Sequence, residues 1–151
     1  MTATTHAIVG GAIAAFSPNL AVSLPLALGS HFLMDLVPHW DAGTNFENRP
    51  KIVSAVMAAI DVIAGFVLVY LIFGGVVSPL NLWLTVLFAQ LPDWIEAPYL
   101  FFNLNFAPSR IVERIQHKIH SRLDLPWGLV TQLFLILPLL TSGAPGVLAK
   151  P

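Results

Sequence analysis

The chain has 151 residues, a formal net charge of −1, 56% hydrophobic residues and only 10% charged ones, with a mean hydropathy of +0.78. A soluble domain carries about 25% charged residues; this composition cannot clothe a water-soluble surface, and it excludes both a disordered chain and a basic nucleic-acid-binding protein. With no cysteine there is neither a disulfide scaffold nor a thiolate metal site.

The first apolar run, 7–16, stops at Ser17-Pro18-Asn19, a turn signal. No Lys or Arg precedes it, which argues against a signal peptide. It falls short of the roughly 20 residues that cross a bilayer, so a short or re-entrant helix is expected. The second run, 20–37, contains Pro25 and stops at Pro38. A polar loop, 38–51, follows. The third run, 52–73, is long enough to span a bilayer and carries Asp61 about 15 Å inside it by helical rise. After a Gly74-Gly75 turn, the fourth run, 80–95, ends in a polar cluster of Asp93, Glu96 and Pro98.

Residues 99–106 resemble an aromatic belt at headgroup depth. The segment 107–122 reads as an interfacial amphipathic helix with Ser109 as its N-cap. Ile111, Val112, Ile115 and Ile119 share one face; Arg110, Glu113, Arg114, His117 and His120 occupy the other. A fifth run, 125–140, leads into a flexible Gly/Pro-rich tail at 142–151. Trp40, Trp83, Trp94 and Trp127 read as interface anchors. The expected fold is therefore all-α: a single membrane-embedded helical bundle over 1–151, with four to five membrane helices plus the interfacial helix.

Alternating crossings put the N-terminus, loop 38–51 and segment 96–124 on one face. Six of the seven basic residues (Arg49, Lys51, Arg110, Arg114, Lys118 and Arg122) fall there. The positive-inside rule makes it the cytoplasmic face of the inner (plasma) membrane. The same drawing gathers all five histidines on that face, with Asp61 as a deeper exception. Ionisable groups inside apolar runs are costly and are functional candidates by default.

His31-Phe32-Leu33-Met34-Asp35 places an imidazole and a carboxylate one turn apart, able to grip a single cation. The bland reading is a His–Asp pair holding a bundle together. His117 and His120, an i, i+3 pair, are a solvated pair on the bland reading; Glu113 on the same face and the shared membrane side favour ligation. Asp93 sits in a Leu91-Pro92-Asp93 turn near a helix C-terminus, where the macrodipole disfavours a carboxylate and a compensating cation is expected. The metal candidates are thus His6, His31, Asp35, Asp93, His117 and His120. His39, turned away by Pro38, is a supporting residue with Asp61 and Glu113, and Glu96 and Asp41 are candidate proton relays. Imidazole and carboxylate without thiolate suit Zn above all, with Mn, Fe or Mg as alternatives. More than four ligands fit one or two ions, and a pair of ions clamps both oxygens of a phosphoester.

Thr5-His6 with Gly10-Gly11, Ser30-His31-Phe32-Leu33-Met34-Asp35, Leu91-Pro92-Asp93 and His117-Lys118-Ile119-His120-Ser121 resemble the motifs of the YdjM-like membrane-bound metal-dependent hydrolases. That family carries an early His, an LPDxD block, an HRxxTHS block and a SHxxxD block. Here SHxxxD comes second rather than last, Glu96 stands near the second Asp of LPDxD, and Ile119 replaces Thr. The stretch 30–41 is also similar to one found in short multi-pass bacterial proteins. The resemblance implies a metal-dependent hydrolase, and a site at headgroup depth suits a phosphoester or lipid headgroup. The alternatives are a non-catalytic metal-binding or transport protein and a structural bundle held together by His/Asp pairs.

Overall fold

The computed structural model describes residues 1–141, so the tail expected at 142–151 lies outside the described residues. The described residues form six α-helices: α1 (Ala3–Phe16), α2 (Leu20–Asp35), α3 (Lys51–Phe73), α4 (Pro79–Phe102), α5 (Ala107–Ile119) and α6 (Trp127–Thr141). A 3-10 turn at Phe46–Asn48 sits in the α2–α3 loop. The all-α class is as the apolar periodicity predicts.

The shortest apolar helix, α1, is the central one: it packs against α2, α3, α4 and α6. Small residues allow this. A Cβ on Gly10 would lie 2.9 Å from the Ala89 Cβ and 3.0 Å from the Val86 Cα, and one on Gly65 would lie 3.0 Å from the Thr4 Cα. Both positions need glycine because helix backbones meet there, the packing mode that membrane bundles favour. Ala7, Ile8, Ala12, Val69, Phe73, Leu82 and Val86 fill the core around these contacts. At the far end of the bundle Asn81 donates to the carbonyls of Ala14 and Ser17, closing the last turn of α1 from α4. Ser23 Oγ donates to Asn81 Oδ1 at 3.1 Å, which ties in α2.

The near end of α1 is held by three side chains. Thr2 caps it locally, accepting from the Thr5 N–H at 3.2 Å. From α3, the Asp61 carboxylate accepts the backbone N–H groups of Ala3 and Thr4, at 2.6 and 3.1 Å. From α6, Gln132 Oε1 accepts from the Thr2 N–H at 2.9 Å while its Nε2 donates to the Trp40 carbonyl at 2.8 Å. Asp61 is therefore level with the start of α1. The sequence drawing makes Asp61 the deep exception because it starts every run at one plane. Instead α1 begins opposite the third turn of α3, and α3 projects beyond it.

Among the described residues, α3 alone is long and apolar enough to cross a membrane; α1, α2 and α6 are apolar but shorter. The fourth run does not stop at residue 95: α4 runs through Pro98 into the aromatic segment and ends where Asn103 adopts a left-handed φ of 54°. Ser109 is not the cap of α5 either. The helix starts two residues earlier, after Phe106, and Ser109 Oγ donates back to the Phe106 carbonyl at 2.8 Å.

Candidate metal centre

His31 and Asp35 close α2, one turn apart and both fully buried. The His31 Nδ1–H donates to the Ala89 carbonyl at 2.8 Å. That bond fixes the tautomer, so in the neutral ring Nε2 presents its lone pair, 3.4 Å from Asp35 Oδ2. Asp93, from α4, brings Oδ1 to 3.4 Å from the same nitrogen. On the other side His6 of α1 stacks on His31, ring centroids 4.0 Å apart. Its Nε2 lies 3.3 Å from Asp35 Oδ1.

Past Asp35 the chain leaves the helix but doubles back. Segment 121–123 pairs with it in a short parallel bridge: Ser121 N–H donates to the Asp35 carbonyl, His39 N–H to Ser121, and Leu123 N–H to His39, at 3.2, 3.0 and 2.8 Å. The His39 Nδ1–H donates to the Val37 carbonyl at 2.7 Å, and Nε2 points inward, 3.7 Å from Asp35 Oδ1. The expectation that Pro38 turns His39 away is therefore corrected. Proline ends the helix, and the tertiary bridge decides the direction.

The same bridge delivers His120, whose Nε2 lies 2.6 Å from His39 Nε2 and 2.8 Å from Asp41 Oδ2. Burial opposes ionisation of Asp41, but hydrogen bonds from His120 and His39 outweigh it and hold the carboxyl below the usual carboxylate range. Thr44 Oγ1 also donates to Asp41 at 2.9 Å. Asp41 thus acts on His120 as an orienting partner of the kind that ligand imidazoles use.

Two buried groups result, His6–His31–Asp93 and Asp35–His39–His120, each with its ligand atoms within 4.8 Å of one another and able to hold a metal ion. Asp35 stands between them: Oδ1 faces His6 and His39, and Oδ2 faces His31. The N-terminal ammonium of Met1 also contacts Asp35 Oδ1.

The donor set fits a divalent ion on its own chemistry. Both nitrogens of His6 and Oδ2 of Asp35 are buried without a hydrogen-bond partner. Such atoms cost about 1–3 kcal/mol each when left unsatisfied. His39 and His120 present two facing Nε2 atoms, and one proton at most fits between them. A cation in each group would answer one nitrogen of His6, Oδ2 of Asp35 and the facing His39–His120 pair, leaving only the second His6 nitrogen of this set without a partner. Nitrogen and hard oxygen donors without sulfur suit Zn, Mn, Fe or Mg.

A cavity of about 570 Å³ opens onto this cluster between α3, α4 and α5. Glu96, Glu113, His117 and Arg122 line it alongside Asp41, Asp61, Asp93 and His120. His117 is exposed and stands outside both groups. The buried residue of that turn is its neighbour Gln116, whose Nε2 donates to Asp93 Oδ1 at 3.0 Å and lies 3.0 Å from His31 Nε2. Gln116 precedes His120 by four residues, so the helical period that couples His31 to Asp35 also marks it. The Ala89 and Val37 carbonyls, which set the imidazole tautomers, leave no trace in side-chain identity. No protein-family model, curated protein or solved structure matches the chain.

Proposed function

We propose that this chain is a membrane-embedded, metal-dependent hydrolase of the inner membrane, its bundle crossing the bilayer several times with the site toward the cytoplasm. The observation that carries the reading is Asp35, shared between two groups of inward-facing imidazoles with no protein donor for its Oδ2. A shared carboxylate is the expected bridge of a two-ion site. The motif resemblance to YdjM-like hydrolases adds to it, and the many exposed apolar side chains of α2, α3 and α6, such as Leu33, Ile60, Ile63 and Phe134, support a lipid surrounding.

When bound, divalent ions supply Lewis acidity and a water activated near neutral pH. The chain's own residues do the rest. The Ala89 and Val37 carbonyls hold the Nδ1–H atoms of His31 and His39, keeping both Nε2 atoms aimed inward. Asp41 orients His120. Glu96, on the cavity wall, is placed to carry a proton. For a phosphoester, the water oxygen bonds to phosphorus, the bond from phosphorus to the leaving oxygen breaks, and the proton of the water passes through Glu96 to that oxygen.

A transport module is the weaker reading. It needs charged or polar groups along the whole bundle, and beyond the site the described core is apolar apart from one hydrogen-bonded cluster of Ser23, Asn81 and Thr85, with no charged side chain. The test is metal content of the purified protein by mass spectrometry, together with hydrolysis of p-nitrophenyl phosphate before chelation, after it, and after metal is restored. One or two ions per chain and activity that follows occupancy are expected. Full activity after stripping, or no bound metal, sinks the reading in favour of a structural bundle.

A further inference from the structure

The cavity over the ligand groups has two chemically different ends. Its floor is polar, with Asp93, His120 and Arg122 beside the Asp35 cluster. Apart from Asp61 and Glu96, its walls are apolar: Ala55, Ala58 and Ala59 on α3 and Ala97, Leu100 and Phe101 on α4. The walls stand apart because α3 holds itself away from the bundle over 51–60, before Asp61 reaches the start of α1. Across residues 51–64 only Ser54 is buried, whereas Gly65, Val69 and Phe73 pack into the core. The top of the gap is strapped shut. Lys51 Nζ donates to Asn103 Oδ1 at 2.8 Å, joining the start of α3 to the end of α4. Phe46 of the α2–α3 loop meets Phe101, ring centroids 6.0 Å apart. The two helices that border the cavity also carry Val56, Ile60, Ile63 and Trp94, all exposed.

We propose that this cavity takes a bilayer lipid with a phosphomonoester headgroup, entering sideways between α3 and α4, its chain against the alanines and its phosphate on the floor. The proposal rests on the metal-site reading and names the substrate class of that same site. Three features select the occupant. The alanine wall leaves width for a chain where larger residues would close the gap. The volume lies in the range of about 300–1,000 Å³ typical of sites that bury a small ligand. Arg122 is the one guanidinium on the cavity; its charge acts on Glu96, but among the described residues its side chain makes no hydrogen bond or salt bridge, so its planar fork is free to donate to phosphate oxygens. The implied reaction consumes one water and releases the lipid alcohol and inorganic phosphate.

The full chain in phosphatidylcholine nanodiscs, loaded with Zn, allows a binding test that needs no turnover. Methyl phosphate and hexyl phosphate share a headgroup and differ only in chain. Each methylene moved from water into an apolar site is worth roughly a factor of three to four. Hexyl phosphate should therefore bind at least ~200-fold tighter if all five extra methylenes are buried and at least ~30-fold tighter if three are. Ala58→Trp should reduce that ratio to near one while leaving methyl phosphate affinity and metal content as they were. Ala97→Trp, on the opposite wall, should do the same and guards against a folding defect in one variant. Doping the nanodiscs with phosphatidic acid should displace hexyl phosphate. Equal affinity of the two esters, or chain preference surviving both tryptophans, overturns the lipid cavity and leaves the metal reading intact. Unchanged hexyl phosphate binding after chelation sinks the metal reading and leaves the cavity standing.

Discussion

The carboxylate of Asp61 accepts the backbone N–H of Ala3 at 2.6 Å, capping a helix to which it does not belong. The first N–H groups of a helix have no partner within it, and a carboxylate there also meets the positive end of the dipole. Losing a cap costs about 0.5–2 kcal/mol. Asp61→Ala should therefore lower the thermal midpoint while the folded fraction keeps its metal. Loss of metal at unchanged stability would instead make Asp61 a ligand.

Asp35 faces both ligand groups, and each of the others faces one. Asp35→Asn should lose both ions, whereas His31→Ala and His39→Ala should each lose about one, by metal-to-protein ratio. The equal loss in the two His variants is specific to the doubled-back geometry. Two ions retained in Asp35→Asn would remove the bridging role.

His117 and Gln116 are adjacent and lie on different sides of α5. His117→Ala should leave metal content unchanged, since the imidazole is exposed and outside both groups. Gln116→Ala removes a donor to Asp93 and should weaken metal binding, typically 10–100-fold for a partner of a ligand. Competition with a chromophoric chelator measures both. The opposite ranking would assign the ligand to His117.

Metal binding and folding should separate along the pH axis. Imidazole must be neutral to ligate, so occupancy should fall on acidification as the ligand histidines take up protons. Asp41 answers at lower pH. Its folded carboxyl lies below the usual value, so its ionisation stabilises the fold fully above the unfolded pKa near 4 and less as pH falls further. Metal-free protein should thus lose stability below about pH 4, and Asp41→Asn should flatten that decline. A decline equally steep in the variant would place the acid sensitivity elsewhere.

Local physics explains which parts of this were legible from residues alone. The i, i+4 spacing of His31 and Asp35 and the apolar runs are short-range facts, and the helices and the Asp35 face follow from them. The convergence of His6, Asp93 and His120 is what alternating crossings predict, and the structure brings the three into the paired groups around Asp35. His39 and Asp61 show where that reasoning stops. A proline reports that a helix ends but not where the chain goes next, and here a pairing with residues more than 80 positions away decides it. The depth of Asp61 depends on the offset between α1 and α3, which small residues such as Gly65 set by letting backbones touch. Residue type marks His117 as a ligand candidate and does not mark Gln116, an uncharged side chain, yet the buried face of α5 belongs to Gln116.

The unequal helix lengths carry a consequence for any surrounding bilayer. With 14, 16 and 15 residues, α1, α2 and α6 extend only about 21–24 Å, whereas the 23 residues of α3 extend about 34 Å. A hydrocarbon core of about 30 Å matches α3 and exceeds the others. Such a mismatch is relieved by local thinning around the short helices. The leaflet would then dip beside α2 and α6, lowering headgroups and water toward a centre that, measured along α3, would otherwise be deep in the bilayer.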